Sequence, residues 1–139
     1  MGRFNVGRVI MGGLAAGVVA NALDYVINAF LMKAEGEAMM QRLNLSADVV
    51  NRSVTTWVIV DFVYGLLLVF AYAAMRPRFG PGPKTAAISG ATLWLAICAI
   101  FAGLTAMGIY TEQAFIKSSA LMLVSTMAAS LTGAYIYKE

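Results

Sequence analysis

The sequence predicts an all-α fold, a bundle of four transmembrane helices, and three observations carry that reading. Four apolar runs, Val9–Met32, Ser53–Met75, Thr85–Thr111 and Ser118–Tyr137, cover most of the 139 residues, each bounded by charged side chains. About 20 apolar residues cross a bilayer as a helix, so every run is long enough. Only two charges, Asp24 and Asp61, lie inside the runs. Composition agrees: 60% of residues are hydrophobic and 12% charged, where a soluble domain carries about 25% charged. One integral membrane domain over residues 1–139 is expected, with helices over about 6–33, 47–76, 84–110 and 114–137.

The first helix follows Arg3 and Arg8 and continues to Met32. A cleaved signal peptide is its rival: the two arginines would form the basic region, and Ala20-Asn21-Ala22 resembles a cleavage site. The run outlasts the apolar region of such a peptide, so a retained helix is expected. Gly13, Gly17, Asn21, Asp24 and Asn28 recur at helical spacing and share one stripe. Gly13 and Gly17 are expected to let another backbone approach closely.

The segment Lys33–Arg52 is charged but carries Met39, Met40, Leu43 and Leu45, the pattern of a short amphipathic helix on the membrane surface. Ser46 is the expected N-cap of the second long helix, with Asp48 in its first turn. On that helix Asp61 shares a face with Trp57, Tyr64, Gly65 and Tyr72. All three prolines fall in Arg76–Lys84, which predicts a stiff hairpin between the second and third helices. The third helix carries Thr85, Ser89, Thr92, Ala96, Ala99 and Gly103 in steps of three and four. After a short connection near Gly108–Lys117, the fourth offers Ser118, Ser125 and Thr132, with Ala129 and Gly133 beside them. These small-residue stripes, with Ser89 and Gly103 among the packing residues, are expected to face one another and close the bundle. The functional alternative is that their hydroxyls line a narrow polar path. Trp57, Tyr72, Tyr110, Tyr135 and Tyr137 sit near run ends, where aromatic belts form, whereas Trp94 lies deeper and is expected to pack.

A faint repeat runs through the chain. Ile10-Met11-Gly12-Gly13 resembles Ile88-Ser89-Gly90-Ala91, and Ala71-Tyr72 before Arg76 resembles Ala134-Tyr135 before Lys138. Two pseudo-repeated helical hairpins would produce this, and so would chance and shared membrane composition; both stay open.

Much chemistry is absent from the composition. Histidine does not occur, which removes most zinc sites, histidine haem ligation and the usual general base. There is no GxxxxGK[ST] loop for nucleotide phosphates. Cys98 is the single cysteine, so no internal disulfide can form, and nine methionines without histidine do not make a copper site. No enzyme, cofactor or metal is expected. The formal charge of +3 is too small and scattered for nucleic acid. The expected partners are the lipid bilayer and either a second copy or another membrane protein.

Lysine and arginine set the expected orientation. One side holds Arg3, Arg8, Arg76, Arg78, Lys84 and Lys138 with Glu139 as its only acid. The other holds Lys33, Arg42, Arg52 and Lys117 against Glu35, Glu37, Asp48 and Glu112. Both termini are expected in the cytoplasm.

The hairpin Arg76-Pro77-Arg78-Phe79-Gly80-Pro81-Gly82-Pro83-Lys84 and the ending Gly133-Ala134-Tyr135-Ile136-Tyr137-Lys138-Glu139, on a four-run layout, resemble a family of small, uncharacterised bacterial membrane proteins. That resemblance implies a bacterial inner-membrane setting and no activity. Gly12-Gly13 also resembles the start of fluoride channels, without their arginine or glycine–asparagine pattern. Small multidrug exporters place one acid in helix one; here a second stands in helix two.

Asp24 and Asp61 each lie eight residues from the outer end of their run, about 12 Å along a helix. Antiparallel helices place them at similar depth, where an acid costs about 2.5–3.5 kcal/mol to insert. The candidate binding residues are therefore Asp24 and Asp61, with Asn21, Asn28 and Tyr64 near them. In a structural account, protonated Asp side chains fasten helices one and two. In a functional account, the pair binds a proton or cation entering from outside. The expected role is an accessory, scaffold or homo-oligomeric membrane subunit, and the alternative is a small proton- or cation-coupled transporter or channel using both acids.

Overall fold

The structure, a computed structural model, describes residues 4–137. Arg3, Lys138 and Glu139, part of the charge asymmetry above, lie outside the described residues. The chain forms α1 (Val6–Val26), prolonged by a π-helical turn (Ile27–Leu31), then α2 (Lys33–Arg42), α3 (Ala47–Phe79), α4 (Pro83–Ala106) and α5 (Glu112–Ile136). It is an all-α bundle. Four segments, Val6–Leu31, α3, α4 and α5, are long and apolar enough to cross a membrane; this is the layout of a multi-pass membrane protein.

Side chains at the ends fix where the helices start. Asn5, Ser46 and Thr111 accept from the backbone amides of Arg8, Val49 and Ala114, satisfying donors the helices leave orphaned. Two helices stop through left-handed residues. At the end of α4, Gly108 (φ 81°) lets its own amide donate to Thr105 O and that of Ile109 to Leu104 O. Asn44 (φ 51°) closes α2 in the same way. This is why α4 ends at Ala106 rather than near residue 110.

The hairpin is tighter than the sequence suggests. Instead of yielding at Arg76, α3 continues through Pro77 to Phe79, because proline's fixed φ is helical and Pro77 gives up only an amide donor in the last turn. Gly80 N donates to Arg76 O at 2.8 Å and closes that turn. Gly80 (φ 81°) and Gly82 (φ 125°) then reverse the chain in conformations a side chain resists. Tyr72 OH accepts from Gly82 N at 3.1 Å, and Thr85 Oγ1 donates to Gly80 O at 2.7 Å. Pro83 opens α4, where no amide donor is needed.

The four long helices form a ring in which α1 packs on α3 and α5, and α4 packs on α5 and α3. The core is concentrated towards the hairpin end, around Val9, Ala16, Leu68, Val69, Tyr72, Ala86, Ala129 and Tyr137. Close approach depends on missing side chains. A Cβ on Gly65 would stand 2.4 Å from Gly17 N and 2.5 Å from Gly13 O, so α1 and α3 meet backbone to backbone. Gly12 and Gly133 bring α1 and α5 together similarly, with a Gly12 Cβ falling 2.7 Å from Gly133 O. Between α4 and α5 the contact is polar: Ser89 Oγ and Ser130 Oγ pair at 3.1 Å, and Ser130 also donates to Ala86 O at 2.7 Å.

The stripe on α4 needs correcting. Thr85 and Ser89 are buried, but Thr92, Ala96, Ala99 and Gly103 are exposed, and nothing lies within 4 Å of a Cβ placed on Gly103. In its second half α4 turns a different face inward: Trp94 Nε1 donates to Ser119 O at 2.9 Å, and Phe101 packs on Tyr110. The small residues are therefore left on the outside of the chain.

At the end opposite the hairpin, the bundle is looser. From Ala47 to Val60 every residue of α3 is exposed except Val50 and Ser53. α2 is tied across this end by two clasps. Lys117 Nζ meets Glu35 Oε1 at 2.6 Å, and the Arg42 guanidinium donates to the carbonyls of Gly108 and Ile109. Those carbonyls lie just beyond the end of α4, where a cation is favoured.

Candidate functional site

Asp24 on α1 and Asp61 on α3 come together, their carboxyls near enough to act on one another. Ionised carboxylates only accept, so the two can bond to each other only with a proton on one of them. A third helix completes the group: Ser125 Oγ of α5 donates to Asp24 Oδ1 at 2.8 Å. Among the described residues, no lysine or arginine makes an ion pair with either acid. Three side chains from three helices thus hold two acids and one hydroxyl in a segment that offers them no counter-charge.

The remaining predicted residues take other partners. Tyr64, three residues beyond Asp61, pairs its hydroxyl with Thr126 Oγ1 at 3.0 Å, and Thr126 follows Ser125 on α5. Tyr64 therefore borders the acids through α5. Asn21 Nδ2 donates to Gly17 O at 2.9 Å and across to Val58 O at 3.3 Å, so it fastens α1 to α3. Asn28 is exposed and donates to the Asp24 backbone carbonyl at 2.8 Å. Both amides bond backbone oxygens.

Access to the pair is lopsided. On the hairpin side, Gly17 and Gly65 are in backbone contact, Ala20 is 2% exposed and Leu68 fully buried. On the α2 side, the opening turns of α3 stand exposed. The acids sit where the packed half of the bundle ends, each partly exposed. The π-helical turn begins three residues after Asp24, and Met32 N closes it onto Ile27 O at 2.7 Å. Such turns insert one residue into a helix and occur often at functional sites.

The sequence did not reveal Thr126, nor the role of Ser125 as donor to Asp24. Consecutive residues on a helix point about 100° apart, so a stripe through Ser125 passes over Thr126. Gly65 was legible only as a neighbour of Asp61; its part as the contact point for Gly13 and Gly17 depends on the register of α1 against α3. No cluster of three or more His, Cys, Asp or Glu suited to a metal occurs among the described residues. No family model, curated protein or solved structure matches the chain.

Proposed function

We propose that this chain is a small proton- or cation-coupled transporter or channel in which Asp24 and Asp61 form the binding site. The observation that carries the reading is the proximity of two carboxyls with which no lysine or arginine among the described residues makes an ion pair. Intramembrane acids are expensive and mark ion or proton pathways. Two neighbouring carboxyls are suited to holding a proton between them and exchanging it for another, or for a monovalent cation. Ser125 holds Asp24 in place, and the ligand enters from the α2 end because the packed side is closed. No nucleophile–base pair accompanies the acids, and the site is assigned no reaction. The setting is the bacterial inner membrane with both termini cytoplasmic, on the grounds of the arginine- and lysine-rich hairpin end.

The test is flux in proteoliposomes loaded with a pH-sensitive dye, under imposed proton, sodium and potassium gradients. Asp24→Asn and Asp61→Asn should each abolish flux while leaving helicity and unfolding unchanged. Equal flux in the unaltered protein and both variants overturns the proposal.

A second reading, an accessory or homo-oligomeric membrane subunit, is supported by the α4 face of Thr92, Ala96, Ala99 and Gly103, which none of the described residues covers. Small residues of that kind allow close helix contact in membranes. Crosslinking in lipid that yields only monomers contradicts the homo-oligomer.

A further inference from the structure

At the end of the bundle away from the acids, the α3–α4 hairpin and the last turns of α5 enclose an open cavity of about 570 Å³. Its walls are of two kinds. Leu131 and Ala134 supply an apolar wall, and Leu131 is 41% exposed, so this wall continues onto the outer face of α5. Arg76 also lines it, its guanidinium 5.9 Å from the centre of the Tyr72 ring and 5.4 Å from that of Tyr137. The two rings are themselves edge to face at 6.0 Å, and both phenol oxygens already accept a backbone amide, from Gly82 and Asn5. The stack holds the guanidinium in one place.

The start of α4 borders the same cavity through Gly82 and Pro83, and no side chain caps it. The positive end of a 24-residue helix therefore adjoins Arg76. Arg8, Arg78 and Lys84 lie at this end of the bundle as well, and the sequence puts Glu139, outside the described residues, as the one acid on this side. A positive pole beside an apolar wall, at the boundary of a membrane-spanning bundle, matches a molecule with a negative head and a hydrocarbon tail.

The geometry points to a binding site for an anionic phospholipid, its phosphate against Arg76 and the start of α4, its acyl chain along Leu131. Basic pockets between transmembrane helices take such headgroups. This site is separate from the carboxyl pair and stands whether or not the pair transports anything.

The experiment is native mass spectrometry of the full chain in detergent, with added phosphatidylglycerol, phosphatidylcholine or inorganic phosphate. Phosphatidylglycerol should bind at least about fivefold more tightly than phosphatidylcholine, the effect of one well-placed cation on an anionic lipid. Arg76→Gln should remove that preference. Because Arg76 also packs on two tyrosines, Leu131→Trp serves as the second variant: it fills the apolar wall from an exposed position and should weaken phosphatidylglycerol binding with unfolding unchanged. Equal binding of the two lipids, or a preference surviving both substitutions, overturns the proposal. So does displacement of phosphatidylglycerol by millimolar inorganic phosphate, which would assign the pocket to a soluble phosphate.

Discussion

Replacing Gly65 by alanine should be among the most damaging single-methyl additions to this protein. The new Cβ would stand 2.4 Å from Gly17 N, 2.5 Å from Gly13 O and 2.9 Å from Gly17 Cα. All three are backbone atoms, so no side chain can rotate away. Non-bonded heavy atoms settle at about 3.5–4.0 Å, and relief therefore requires α1 and α3 to part by about 1 Å. A gap of that size forfeits roughly a quarter to a half of each dispersion contact it opens. Overpacking of a fixed core costs about 1–3 kcal/mol, and a backbone-to-backbone clash belongs at the upper end, about 3 kcal/mol. The assay is reversible unfolding by SDS titration in bicelles, with Gly103→Ala as the control, since nothing lies within 4 Å of its Cβ. The control should shift stability by no more than about 0.5 kcal/mol. Equal effects of the two substitutions would refute the close contact of α1 and α3.

Two further outcomes follow from the polar contacts. Lys117 holds the Glu35 carboxyl below its ordinary value of 4.5 by hydrogen bonding, with a smaller contribution from charge attraction. A lowered pKa means the ion pair stabilises α2 above the unfolded value and is lost as pH falls through the folded one. Amide exchange in Lys33–Arg42, corrected for intrinsic rates, should be equal at pH 7 and 5 and faster below about pH 4, while Lys117→Met should loosen α2 at pH 7 and 5 and remove this pH dependence. Ser130→Ala removes the donor to Ala86 O and the partner of Ser89. Its cost should be about 0.6 kcal/mol and no more than about 1.7, measured by the same unfolding titration. Thr132→Val, which removes only a bond to Ala128 O within α5, should cost less.

The long helices were legible because uninterrupted apolar length is itself the signal, and the caps at Ser46 and the turn at Gly80–Gly82 are local chemistry. What escaped was geometry between helices. A stripe of small residues says that something can approach, but not along how much of the helix: Ser89 meets Ser130, while Gly103, fourteen residues further on, meets nothing. Likewise Asp24 and Asp61 could be matched in depth by counting from the run ends. Their third partner, Ser125, depends on how α5 rotates about its own axis, which neighbouring polar residues Ser125, Thr126 and Ser130 do not fix by spacing alone. The π-helical turn at Ile27–Leu31 has no sequence marker, since neither glycine nor proline causes it.

Infrared difference spectroscopy of the protein in lipid, with pH changed only on the α2 side, tests the carboxyl pair most directly. The unaltered protein should show one protonated-carboxyl band that responds to that pH change, and Asp24→Asn and Asp61→Asn should each remove the response. A band that stays constant over the stable pH range, or one that both variants leave intact, would contradict a shared, exchangeable proton and leave the two acids as a sealed fastening between α1 and α3.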